Sequence, residues 1–341
     1  MNYILKNENA VYYECGFSCD NEIFLKLENE KFFITDSRYT LEAKEKITND
    51  TKVIESKDLN KTLREILRKN KVKILIYDPR DWSVDDFKKI SSKVKTRFKP
   101  KINFSQQKRI IKTKKEIELI KRAVSLGKEA FDRFSHFLQK EGEGKTEQEL
   151  HFELIKILTK KGEFDLSFSP IVAINENAAK PHALASKKAL KNGDLLLIDA
   201  GIKYKRYCSD RTRTAEFNGH ITFQKEQRFS DKKKQKIYDI VLKAQEAAIK
   251  KIKPGVKASD IDKAAREVIE KAGFGKFFVH STGHGVGLDI HELPVISFKN
   301  KETIIEENMI FTIEPGIYLN GEFGVRIEDM VVVTKDGCEI L

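Results

Sequence analysis

The sequence predicts an α/β protein of mixed α+β type, built as two domains of unequal size, and three observations carry that expectation. At roughly 100–200 residues per domain, 341 residues suggest two domains. Short strand and helix patterns alternate up to residue 108. From 109 onward helices come in pairs separated by β-rich stretches, which sets the expected domains at 1–108 and 109–341. The composition, 40% hydrophobic and 34% charged, is rich enough for a core and argues against wholesale disorder.

Composition also removes whole classes of function. No apolar run approaches the ~18 residues of a membrane helix; among the longest is Leu195-Leu196-Leu197-Ile198. The start, Met1-Asn2-Tyr3-Ile4, has no basic stretch followed by an apolar one, so no secretory signal is expected. Four cysteines are too few for a disulfide scaffold, and Cys15 and Cys19 have no second ligand pair nearby to complete a metal site. Free thiols and a cytoplasmic location are expected. The net charge of +12 could indicate nucleic acid, but Lys outnumbers Arg more than three to one and is scattered along the chain. Phosphate forks and base readout usually use Arg, so no nucleic-acid partner and no membrane partner are expected.

In the first domain, Ile23–Leu27 and Phe32–Thr35 flank Glu28-Asn29-Glu30-Lys31 as a hairpin. Leu59, Leu63, Ile66 and Leu67 have helical spacing, and Val72 to Tyr77 reads as a strand ending at Asp78-Pro79. Lys99 to Lys115 reads as a polar linker. Thr113 with Glu116 is a capping box, and Ile117, Ile120, Val124, Gly127, Phe131, Phe134 and Leu138 form one face of the long helix that follows. Thr146 with Glu149 opens a second helix that closes near Gly162. Lys236–Lys253 and Ser259–Ala272 form another pair, divided by Pro254-Gly255 and stopped by Gly273. Residues 215–236 read as an extended surface loop with His220 incidental to it.

Histidine is absent before residue 136. His136 and His151 lie in helices among polar neighbours and read as surface groups. Others have unusual settings: Pro181-His182-Ala183, His280-Ser281-Thr282-Gly283-His284-Gly285 and Ile290-His291-Glu292. Carboxylates also interrupt apolar strands, at Ile198-Asp199-Ala200, Ser209-Asp210-Arg211, Ile313-Glu314-Pro315 and Ile327-Glu328-Asp329. A buried carboxylate costs several kcal/mol unless it is paired or bound to metal. One could be a salt bridge; four with a glycine-flanked histidine suggest a shared cation. Asp199 and Asp210 are far enough apart to sit side by side on antiparallel strands joined by a short turn. On a strand Arg326 and Glu328 share a face while Asp329 points away, as a structural partner. The candidate ligands are therefore Asp199, Asp210, His284, Glu314 and Glu328. Four carboxylates suit two bridged divalent ions, and oxygen-rich ligation favours manganese, with cobalt or zinc as alternatives.

Together these motifs resemble the pita-bread metallopeptidases of the Xaa-Pro dipeptidase (prolidase) and aminopeptidase P group. The matching runs are Ile198-Asp199-Ala200-Gly201, Ser209-Asp210-Arg211-Thr212-Arg213-Thr214, His280 to Gly287 followed by Ile290-His291-Glu292-Leu293-Pro294, Thr312-Ile313-Glu314-Pro315-Gly316-Ile317-Tyr318 and Gly324-Val325-Arg326-Ile327-Glu328-Asp329. More loosely, Gly16-Phe17-Ser18 and Ile34-Thr35-Asp36-Ser37-Arg38-Tyr39 are similar to a creatinase-like (ribonuclease H-like) N-terminal domain. The resemblance implies a creatinase/methionine aminopeptidase-like catalytic domain after it. It implies that Asp199 chelates one ion, that Asp210 and Glu328 bridge both, and that His284 and Glu314 hold the other. Glu314 would also serve as general base toward a bridging hydroxide. His182, His280 and His291 would contact substrate, and Arg326 would brace the carboxylates. The implied activity is hydrolysis of Xaa-Pro bonds in short proline-containing peptides by a homodimer, with dipeptidase favoured slightly over aminopeptidase P. A non-catalytic peptide- or nucleic-acid-binding relative and another chemistry on the same fold are the competing readings; both are disfavoured by the intact ligand set.

Overall fold

The computed structural model describes residues 1–341, which divide into two compact units, Met1–Lys108 and Arg109–Leu341.

The first unit holds a six-stranded sheet ordered β4-β3-β2-β1-β5-β6, formed by β1 (Tyr3–Leu5), β2 (Glu22–Leu27), β3 (Glu30–Thr35), β4 (Thr51–Glu55), β5 (Ile74–Tyr77) and β6 (Arg97–Pro100). The β2–β3 hairpin forms where alternation and the polar 28–31 turn predict it, with Ile23 opposite Ile34 and Leu25 opposite Phe32. Helices α1 (Glu8–Cys15), α2 (Thr40–Lys46), α3 (Leu59–Lys69), α4 (Val84–Ser91) and α5 (Phe104–Arg109) complete it. Alternate strand residues feed two cores: Leu5, Phe24 and Phe33 enter one, and Ile4, Leu25 and Ile34 the other. The expected linker at 99–115 is largely structured. Lys99 and Pro100 end β6, and Phe104 on α5 is buried in the first of these cores. Its polar composition concealed that single aromatic anchor.

The second unit begins with α6 (Lys114–Phe137), whose Thr113–Glu116 capping box is formed, and α7 (Glu147–Thr159), capped by Thr146 and Glu149. Strands β7 (Asp165–Leu166), β8 (Ile171–Ile174), β9 (Asp194–Ala200), β10 (Ile202–Tyr204), β11 (Tyr207–Cys208) and β12 (Arg211–Phe217) follow. Then come α8 (Lys232–Lys251) and α9 (Ala258–Lys271). The chain closes with β13 (Gly283–Gly285), β14 (Glu292–Ile296), β15 (Ile310–Ile313), β16 (Gly316–Leu319), β17 (Phe323–Arg326), β18 (Asp329–Val333) and β19 (Cys338–Ile340). The central sheets are β12-β9-β8 and β14-β13-β15-β18-β19. Each helix pair covers its own core. Phe131 and Phe134 of α6 pack with Leu196 and Ile198; Val241 of α8 and Ile261 of α9 pack with Leu195 and Leu197.

Two surface assignments need correction. The loop after β12 is anchored, because Ile221 and Phe223 are buried with α6 and Phe229 packs on Tyr238. His220 itself is exposed. His151 is half-buried, and that burial lowers its pKa. All four cysteines are free, and no helix is long and apolar enough to cross a membrane.

Candidate metal centre

Strand periodicity builds the site. In β9, Leu196 and Ile198 enter the α6–α7 core while Leu195 and Leu197 enter the α8–α9 core. Asp199 continues the second series. Thr212 of β12 pairs with Asp199, and Asp210 lies two residues before it, hence on the same face as a diagonal neighbour. The connection is longer than a tight turn: β10 and β11 form their own small hairpin between the two aspartates. In β15, Phe311 and Ile313 enter the core, so Thr312 and Glu314 face the opposite way. Val325, Ile327 and Val331 do the same beyond it, leaving Arg326 and Glu328 for the site. Asp329, on the other side, pairs with Arg213, Lys225 and Gln245.

His284 reaches the cluster from β13, where its neighbours must be glycine. A Cβ at Gly283 would strike the Thr312 carbonyl and one at Gly285 the Leu293 carbonyl. One ligand atom each from Asp210, His284 and Glu328 lies within 4.8 Å of the others. His284 Nε2 stands 3.6 Å from Asp210 Oδ2 and 3.3 Å from Glu314 Oε1. Asp199 joins through Arg326, whose Nη2 donates to Asp199 Oδ2 at 2.7 Å. Thr212 donates to Glu328 at 2.7 Å, and Thr312 donates to Glu314 at 3.3 Å.

Electrostatically the cluster is short of positive charge. Burial, then the charges of Glu328, Asp199 and Glu314, push the Asp210 carboxyl far above its ordinary range. Glu328 is raised by burial and then by Glu314 and Asp199. Burial pushes Glu314 up to about 8. Burial lowers His284 to about 3, so its ring is neutral. Its Nδ1 lies 3.2 Å from the Gly285 carbonyl, which only accepts, so the proton sits there. Nε2 therefore turns a lone pair toward two carboxyl groups, an arrangement satisfied by a proton held on a carboxyl or by a cation lying between them. Asp199 Oδ1 is buried without a hydrogen-bond partner. An unpaired buried oxygen, a bare imidazole lone pair and crowded carboxylates all fit divalent cations, and the donors are mostly hard oxygens.

The remaining predicted residues border this cluster. His280 Nδ1 lies 2.8 Å from the Ser281 carbonyl, so it carries the proton, and Nε2 accepts from Tyr318 Oη at 2.8 Å. Arg326 Nη1 donates to the same Tyr318 oxygen at 2.9 Å and to the Pro181 carbonyl at 3.2 Å, beside the exposed His182. Burial lowers His280 to about 4. The His291 ring meets His284 edge-on with centroids 4.3 Å apart. Tyr318, Thr212 and Thr312 lie within the matching sequence runs, yet the sequence reading gave them no place in the site. The two threonines had a usable signal, since each lies two residues from a strand carboxylate and so shares its face.

The chain matches the family model for metallopeptidase family M24 over residues 118–335 and that for the creatinase/prolidase N-terminal domain over residues 2–113. It is 39% identical to an Xaa-Pro dipeptidase of Pyrococcus furiosus over 259 residues, covering 76% of this chain and 67% of that protein. It spans between 62% and 67% of the length of this and other curated relatives that it matches. Among solved structures it is similar to an Xaa-Pro dipeptidase from Bacillus anthracis, with a TM-score of 0.91, 32% identity and coverage of 99% of this chain and 92% of that one. It is also similar to an X-Pro aminopeptidase from Thermotoga maritima, with a TM-score of 0.86, 36% identity and coverage of 99% and 94%.

Proposed function

The chain belongs to metallopeptidase family M24, a family of metal-dependent peptide hydrolases, and from that premise we propose that it is an exopeptidase cleaving Xaa-Pro bonds, a dipeptidase in preference to an aminopeptidase P. The observation that carries this reading is the meeting of Asp210, His284 and Glu328, with Glu314 3.3 Å from the same histidine nitrogen. These residues and Asp199 would hold two divalent ions, manganese before cobalt or zinc because most donors are carboxylate oxygens. Bound ions supply Lewis acidity and lower the pKa of water.

The chain's own residues account for the rest. Glu314, whose Oε1 lies 3.3 Å from His284 Nε2 within the cluster, would serve as general base toward water held there, since proton transfer needs only hydrogen-bond reach. Arg326 holds Asp199 at 2.7 Å and, through Tyr318, fixes the donor direction at His280. His280 and His291, with His182 next to the Pro181 carbonyl that Arg326 binds, would contact substrate. An Xaa-Pro bond has no N–H to grip, so a site acting on the carbonyl and the free amine accepts it. A homodimer is expected from the prevalence of symmetric oligomers. The free thiols suit a reducing cytoplasmic compartment.

The aminopeptidase reading has support of its own in the similarity to an X-Pro aminopeptidase. The test is a panel of Xaa-Pro dipeptides and Xaa-Pro-Yaa tripeptides on manganese-reconstituted protein. Faster cleavage of dipeptides is expected. Preference for tripeptides selects the aminopeptidase, and cleavage of neither ends the proposal.

A further inference from the structure

Between the metal cluster and the start of the second unit lies a group of buried charges that the reaction does not use. Lys112 Nζ donates to Glu292 Oε1 at 2.7 Å and Arg109 Nη2 to Glu292 Oε2 at 3.2 Å. All three side chains are at most 2% exposed. Arg109 also pairs with Asp289. The two cations thus grip a carboxylate on either side of His291, one of them its immediate neighbour. Both cations come from the polar stretch that reads as linker in the sequence.

The surroundings are built for this grip. Gly287 has no side chain, and a Cβ there would collide with the Glu292 carboxylate. The Gly287 carbonyl accepts from Cys208 N at 2.8 Å, which ties down the near end of the loop. The cation-bearing segment is fixed in turn: Lys112 N donates to the Asn308 carbonyl at 3.0 Å, and Ile111 bridges to Met309. Buried ion pairs contribute little net stability compared with apolar residues of similar volume, so stability alone is a weak reason for this group. Its geometric consequence is clear: the loop is held at Asp289 and Glu292, and His291 between them projects to within 4.3 Å of the His284 ring.

We propose that Arg109 and Lys112 are positioning residues that act through Glu292 to set His291 at the mouth of the metal cluster. The role in catalysis rests on the reading above, in which His291 contacts substrate; the placement of the ring does not.

Two arms test this on the full-length protein, loaded with diamagnetic zinc in the first, because manganese would broaden a ring so close to it beyond detection, and with manganese in the second. In the first, histidine-ring NMR follows His291, assigned by loss of its signal in His291→Ala, with exposed His136 and His220 as internal references. Lys112→Met should shift or broaden the His291 signal and leave both references in place. Glu292→Gln, which keeps the size and drops the charge, serves if Lys112→Met folds poorly. In the second arm, Lys112→Met should lower kcat/KM on an Xaa-Pro dipeptide by roughly tenfold to a hundredfold, as expected for a displaced contact group. Made in the His291→Ala background, the same change should cost no more than about twofold, because its effect runs through the missing ring. An unmoved His291 signal overturns the proposal, as does a full additional loss in the double variant. If wild type cleaves no Xaa-Pro peptide, the functional reading fails while the NMR arm still decides the clamp.

Discussion

The two units bury charge very differently. In the first, Glu22 and Asp78 are the buried ionisable side chains apart from cysteine and tyrosine, while its lysines and arginines lie at least partly in solvent. In the second, Asp210, Asp262, Glu292, Arg326, Glu328 and Asp329 are all buried, as are Arg109, Lys112 and Arg213. Both are α/β assemblies with alternating strands and well-filled cores, so the architecture does not demand the difference. Interior charge costs several kcal/mol per ion even after relaxation. A unit that holds so much of it must recover that cost through pairing or through a ligand. Asp262, Glu292 and Asp329 are paired with cations. Asp210, Glu314 and Glu328 share Arg326 as the main countercharge, and that is where a divalent ligand belongs.

The largest expected effect is therefore at Asp210. Asp210→Asn should lower Xaa-Pro turnover by roughly 10⁴-fold. Bound manganese, measured by elemental analysis, should fall with it, while the circular dichroism spectrum stays that of wild type. Wild-type turnover in this variant would remove the cluster from the chemistry. The next effect belongs to the other unit. Phe33 is fully buried there, and Phe33→Ala should cost about 3–5 kcal/mol in urea unfolding. Manganese stoichiometry measured below that transition should not change. A loss of metal would show that the first unit takes part in holding it.

The contrast also explains what the sequence could disclose. Asp199, Glu314 and Glu328 were legible because each follows an apolar strand run, and burial of a carboxylate is a local signal with a definite cost. Thr212 and Thr312 were within reach through the same alternation. Tyr318 was not: its role depends on Arg326 and His280 arriving from other segments, and nothing local distinguishes it from a core tyrosine. Arg109 and Lys112 were hidden more deeply. In a chain with 64 basic residues a buried cation looks like any other, and its partner Glu292 lies 180 positions away from Lys112. Ile221 and Phe223 disappeared in the same way into a loop whose average composition is polar.

A third prediction concerns pH. The Glu314 carboxyl stands at about 8 in the fold against an ordinary 4.5, and Asp210 and Glu328 are raised too. Between those limits the folded chain holds protons that the unfolded chain has released, so stability falls as pH rises. His280 and His284, lowered to about 4 and about 3, act in the opposite sense, but only below about 6.5, where the unfolded rings become charged. Above that value the carboxylates decide the sign. Chelator-treated protein should melt at a lower temperature at pH 8.5 than at pH 7. Added manganese, which favours the ionised carboxylates, should shrink the difference. A melting temperature that rises over this interval with chelator present would contradict the crowding inferred at the cluster.

The smallest effect is expected where charge lies outside. Lys52 pairs with Glu30 across β3 and β4, with side chains 61% and 42% exposed. An exposed pair gains little Coulomb energy in water, is screened by salt and loses side-chain freedom in forming, so its net worth is about 0–1 kcal/mol. Lys52→Met should change urea stability by less than about 1 kcal/mol, with any effect fading at high salt. Asp329→Asn, made beside the buried Arg213, should cost about 3–5 kcal/mol because it strands an interior cation. The same kind of edit, one charge removed, then yields effects several-fold apart, set by burial and by the second cation, Lys225, that Asp329 also holds. Equal losses at the two sites would mean that Arg213 finds water or another partner on losing Asp329, and that the interior of the second unit is less dry than its packing implies.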